Sequence, residues 1–150
     1  MTHQELKEAI TGAMKAREEV RLSVLRGLSA AATNELVAEG KKPTDEISDD
    51  DLMTVISRAA KQRKDSIEQF IKGGRLELAE KERAELKIIE EMLPAQMSRE
   101  EVEKAVKNKS VELGVSDKSG ANKLMGALMK ELRGRADGTM VREVVFEVLP

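Results

Sequence analysis

SDDDLMTVISRAAKQRKDSIEQFIKGGRLELAEKERAELKIIEEMLP, residues 48–94, is the stretch whose reading decides the fold. Ser48 offers a side-chain acceptor to the free amides of a helix start. Asp49, Asp50 and Asp51 behind it place negative charge where the helix dipole is positive. Leu52, Val55, Ile56 and Ala59, then Ile67, Phe70 and Ile71, recur at three- and four-residue intervals, which predicts a helix running to about Lys72. Gly73 and Gly74 end it, and a second helix follows from about Leu76 to Met92, with Ala79, Leu86, Ile89 and Leu93 at near-heptad spacing and Pro94 closing it. A two-glycine link joins the two as an antiparallel hairpin. Arg63 stands where the apolar stripe would next fall. Glu82 and Glu85 sit about as far beyond the turn as Arg63 sits before it, so a mostly buried ion pair across the hairpin is expected, with phosphate binding as the alternative role.

Upstream, Thr2 and Glu5 form a capping box, and Leu6, Ala9, Ile10 and Ala13 give a first helix one apolar face to about Arg17. A second helix spans about Glu19 to Glu39, with Leu22, Leu25, Ser29, Ala32 and Leu36 in one stripe. Gly40 to Pro43 break the pattern. Downstream, the residues from Leu93 to Met97 are the candidate domain boundary, because Ser98 and Glu101 start a fresh capping box. Three shorter helices follow, at about Arg99 to Leu113, Ser119 to Leu132 and Gly138 to Val148. The last is rich in valine, yet Val141, Val144, Val145 and Val148 fall at helical spacing rather than alternating. The expectation is an all-α protein: residues 1–94 form an N-terminal helical domain of about four helices, including the long hairpin, and residues 95–150 a C-terminal three-helix module.

Composition narrows the chemistry. The 150 residues contain no cysteine and one histidine, His3, which leaves no material for a thiolate or histidine-rich metal site. Three consecutive carboxylates at 49–51 point about 100° apart on a helix and do not converge on one ion. No metal and no cofactor are expected. No apolar run reaches the roughly 20 residues of a membrane span and the N-terminus builds no signal-peptide core, so no membrane association and a cytoplasmic location are expected. The net charge of −2 argues against a surface that coats nucleic acid throughout. Residues 1–94 carry 16 Lys and Arg against 19 Asp and Glu, whereas residues 95–150 carry 10 against 9, so any nucleic-acid contact should be local and C-terminal.

No catalytic constellation is visible. Ser29, Ser57, Ser66 and Ser119 lack a glycine elbow, and Gly73 and Gly74 lead into Arg75 rather than into a phosphate-binding lysine loop. The binding candidates are on the sixth helix. Its apolar side is Ala121, Leu124, Met125, Leu128 and Leu132, and Lys123, Lys130 and Arg133 fall together on the opposite side. Arg135 follows in the loop and Gly126 leaves a shallow gap among them. A solvated face is the plainer reading of the same residues. Arg58, Lys61 and Lys64 form a secondary basic edge. Phe146, off the valine stripe, is a candidate anchor for a protein partner or for the N-terminal domain.

The run from Lys61 to Phe70, then Gly74, Arg75, Leu78, Ala79, Glu82, Glu85 and Leu86, with Leu93, Pro94, Glu100 and Glu101, resembles the central signature of the GatB/YqeY family. Met14 to Arg17 with Leu25 and Arg26 upstream, and Lys123 to Met125 with Gly134 to Gly138 downstream, extend the resemblance over nearly the whole chain. Three departures stand out: Glu18 for a usual Asp, Thr33 for a common Lys, and Gly120, Ala121, Asn122 for the usual Asp, Met, Gly. The resemblance implies a C-terminal module similar to the tRNA-contacting tail of the amidotransferase B subunit, with tRNA or the aminoacyl-tRNA machinery as partner. It also implies an association with carbon-nitrogen ligase chemistry that uses glutamine as amido-nitrogen donor. The alternative reading is a helical protein-interaction adaptor.

Overall fold

A computed structural model describes Met1–Pro150, and the chain divides into two compact units, Met1–Leu93 and Pro94–Pro150. All regular structure is helical. None of the helices is long and apolar enough to cross a membrane.

The first unit holds α1 (His3–Lys15), α2 (Glu19–Ala38), α3 (Asp49–Lys72) and α4 (Leu76–Glu90). The Thr2 hydroxyl accepts from the Glu5 amide at 3.1 Å and the Glu5 carboxylate accepts from the Thr2 amide at 2.8 Å, which fixes the start of α1. α1 ends at Lys15, two residues short of the expected Arg17, because Arg17 adopts φ 56° in a left-handed turn. The Glu18 amide then reaches back to the Ala13 carbonyl at 3.0 Å and the Arg17 amide to Met14 at 3.2 Å, the paired closure that usually employs glycine.

α3 and α4 form the hairpin. Gly74, at φ +71°, allows the Arg75 amide to bond the Phe70 carbonyl at 2.8 Å and its own amide to bond Ile71 at 3.1 Å. The core gathers Leu6, Val24, Leu25, Leu28, Leu36, Ile47, Leu52, Ile56 and Ile89. Along α3 the fully buried positions are Leu52, Val55, Ile56 and Ala60. Past Ala60 the stripe continues through Ile67 and Phe70, which are only half-buried, and Ile71 is exposed. The apolar period therefore outruns the core it serves.

The second unit holds α5 (Arg99–Leu113), a 3-10 turn (Lys118–Gly120), α6 (Ala121–Glu131) and α7 (Gly138–Val148). Val102, Val106, Leu124, Leu128, Val141, Val144 and Val145 are buried at its centre. The valine-rich segment is a helix, as its spacing requires. α6 begins two residues later than expected, since the Asp117 carboxylate accepts the Ser119 amide at 2.9 Å and its hydroxyl as well, which winds a tighter first turn. Gly120 sits against Val115, where a Cβ would come within 2.7 Å of the valine methyl. Those two hydrogen bonds, the hydroxyl's first, hold the Asp117 pKa below its ordinary value.

Candidate nucleic-acid interface

α6 turns Ala121, Leu124 and Leu128 inward and leaves Asn122, Lys123, Gly126 and Lys130 exposed. Lys123 and Lys130, seven residues apart, lie about 20° apart around the helix and about 10 Å apart along it. The expectation that Arg133 extends this helical face is corrected: α6 ends at Glu131, and Arg133 lies in the turn that follows. Arg135 belongs to the same turn. Both arginines are exposed while Gly134 between them is buried in the left-handed region at φ +75°. The turn therefore presents its two guanidinium groups outward from a glycine hub.

The charges of this unit are sorted. Glu131, the one acid within the basic stretch, is taken by Lys109 of α5 at 2.8 Å, and Lys109 also bonds Glu112 at 3.0 Å. These two carboxylates, Glu131 first, push the Lys109 pKa up. Arg99 at the start of α5 reaches Glu147 at 2.5 Å and Glu143 at 3.5 Å on α7, and the bond to Glu147 is the main cause of its raised pKa. Lys123, Lys130, Arg133 and Arg135 enter no ion pair. Gly126 adds a gap in the same ridge, and a Cβ placed there meets nothing within 4 Å. A mid-helix glycine costs about 1 kcal/mol relative to alanine, and the fold supplies no packing reason for this one.

The other sequence candidates land differently. Arg58 is drawn onto Glu35 of α2 at 3.1 Å, while Lys61 and Lys64 are exposed on α3, so the secondary edge is not a uniform row of cations. Arg63 Nη1 lies 3.2 Å from Glu82 and 3.1 Å from Glu85 across the hairpin. Its side chain is 33% exposed rather than sealed, and its Nε is buried with no partner. Phe146 is 40% exposed, with the Arg142 guanidinium 5.8 Å from its ring centre.

Sequence reading passed over three residues that shape these surfaces. Gln96 and Met97 hold the arginine turn through Gly134 and Arg135, contacts across 38 positions of sequence. His3 accepts the Ile47 amide on Nδ1 at 3.0 Å and so ties the loop before α3 to the start of α1. Only the folded chain brings such partners together, and no local pattern announces them.

Comparison with known proteins places the chain. A family model described as "Yqey-like protein" matches residues 3–149. "Altered inheritance of mitochondria protein 41, mitochondrial" of Lachancea thermotolerans is 36% identical over 76% of this chain and 60% of its own length. The protein of the same name in Kluyveromyces lactis is 38% identical over 67% of this chain and 54% of its own length. That in Saccharomyces cerevisiae is 30% identical over 88% and 68%. The chain therefore spans little more than half the length of the first two relatives. These names overturn the expectation of a cytoplasmic location, because the lack of an apolar span does not separate this chain from relatives named mitochondrial. Matched from its third residue to its last but one, the chain belongs to the YqeY-like family.

Proposed function

We propose that this protein is a non-catalytic accessory that binds tRNA weakly through its C-terminal unit, in association with the aminoacyl-tRNA or tRNA-dependent amidotransferase machinery. The observation that supports the reading is the charge sorting around α6. Of the unit's ten Lys and Arg, Arg99 and Lys109 are held by carboxylates, and four of the eight outside any ion pair are gathered on the α6 ridge and its turn, where they can meet an external anion. Lysines meet phosphates as point charges and arginines as forks, so such a ridge reads backbone rather than bases. With Phe146 as the unit's sole aromatic, base stacking has little to work with.

Three or four phosphate contacts give a slope of log affinity against log salt of about −3, with slight sequence preference. The test is a titration of labelled tRNA at low salt into wild type and into a Lys123→Glu, Lys130→Glu, Arg133→Glu triple variant. Wild type should bind with that slope and the variant should lose at least about tenfold in affinity. Equal binding by the two proteins, or none by either, rejects the RNA reading. A protein-adaptor role would then take precedence, for which the exposed Phe146 is the residue to mutate.

A further inference from the structure

The turn between α6 and α7 is held from outside its own sequence neighbourhood. Within the turn, the Arg135 and Ala136 amides both donate to the Leu132 carbonyl, at 2.9 and 3.2 Å. From the segment before α5, the Met97 amide donates to the Arg135 carbonyl at 2.8 Å. The Gln96 side-chain amide donates to the Gly134 carbonyl at 2.7 Å and to the Pro94 carbonyl at 2.9 Å. Both hydrogens of that amide thus go to carbonyl oxygens. The reverse orientation would set its oxygen against two others, so the two carbonyls fix which end of this exposed side chain's amide faces them. The carbonyls of Gly134 and Arg135 are fixed, and Gly134 is buried while Arg133 and Arg135 on either side of it are exposed.

We infer that Gln96 is a positioning residue for anion binding: it presents Arg133 and Arg135 as a preset pair of guanidinium groups for the phosphodiester backbone of a structured RNA. It acts through the turn rather than through contact with the ligand. The inference rests on the RNA reading given above. Its physical content is preorganisation, since a turn already fixed does not have to be ordered when the phosphate arrives. A loose turn would carry the same two charges with lower affinity.

The experiment is a double-mutant cycle on tRNA affinity in the full chain. Gln96→Met keeps the side-chain length and removes both donors, with Gln96→Ala as the second variant. Each is combined with Arg133→Gln, Arg135→Gln. In the wild-type background, loss of Gln96 should weaken binding about five- to tenfold, on the order of one phosphate contact, and flatten the salt slope by about 1. In the background lacking the two arginines it should change nothing, which a merely structural role would not produce. Hydrogen exchange should also quicken at the Arg135 and Ala136 amides while those of Val106 and Val145 stay protected. Unchanged affinity without Gln96 overturns the inference and leaves the RNA reading standing, as does an equal loss in both backgrounds. Absence of tRNA binding by wild type removes both.

Discussion

Arg99 and Arg133 are both exposed arginines of the C-terminal unit, yet the first is held by carboxylates from two helices and the second by none. The difference lies in what the fold brings within reach. α5 and α7 place Glu143 and Glu147 beside Arg99, while Glu131, next in sequence to Lys130, pairs with Lys109 instead. Composition gives this unit a near-neutral total and conceals the sorting. Paired cations should therefore report in stability experiments, and the unpaired ones of the α6 ridge and its turn in binding experiments.

The strongest test of that division sets reversals of equal sign against each other. Arg99→Glu should leave tRNA affinity within about twofold, whereas Lys130→Glu with Arg133→Glu should remove most of it and flatten the salt slope by about 2. Comparable losses from both variants would collapse the distinction.

Arg63 extends the comparison to the N-terminal unit. Arg63→Ala leaves Glu82 and Glu85, whose side chains are 17% and 13% exposed, facing one another without a cation. The arginine is partly solvated, so the cost should fall between a surface pair and a sealed one, about 2 kcal/mol, with tRNA affinity untouched. Thermal melting of the variant measures this. An unchanged Tm would mean that solvent screens the trio.

Gly126→Ala should move the two readouts in opposite directions. Stability should rise by up to about 1 kcal/mol, because helix propensity improves and no side chain obstructs the new methyl. Affinity should fall, because the methyl fills the gap between Lys123 and Lys130. Gly12, on α1 and equally open, is the control: Gly12→Ala should stabilise without altering binding.

The smallest effect belongs to Lys109. Its pKa is raised in the folded chain, so the stability it contributes is fully present below the unfolded value of about 10.4 and is lost as pH rises through the folded value. Lys109→Met should erase that alkaline step. It should also release Glu131 toward Lys130 and Arg133 and weaken tRNA binding slightly, which a titration at neutral pH would detect.

How much of this was legible depends on how far apart the partners sit in sequence. Capping boxes at Thr2 and Ser98 and the valine period of α7 are local and could be read directly. The register that sets Arg63 opposite Glu82 and Glu85 can be counted outward from a two-glycine turn. The end of α6 could not be read so well, because Leu132 keeps the apolar period while Gly134 pulls the chain into a turn, so that Arg133, just past the expected last residue, reads as part of the helical face. The grip of Gln96 on Gly134 and of His3 on Ile47 spans 38 and 44 positions and leaves no periodic trace. Compartment was not legible either. The absence of a membrane span says nothing about it.

The hairpin that outruns its core has a consequence for how the molecule comes apart. Beyond Ala60, α3 extends 12 more residues, about 18 Å, with only α4 to lean on over much of that length. Two helices without a third bury too little to share in the cooperative melting of the rest, so this end should breathe on its own. Its amides should trade protons with solvent through openings that leave Leu25, Leu36 and Ile56 enclosed. A protease should find the chain first near Gly73 and Gly74, releasing no fragment until the enclosed part follows.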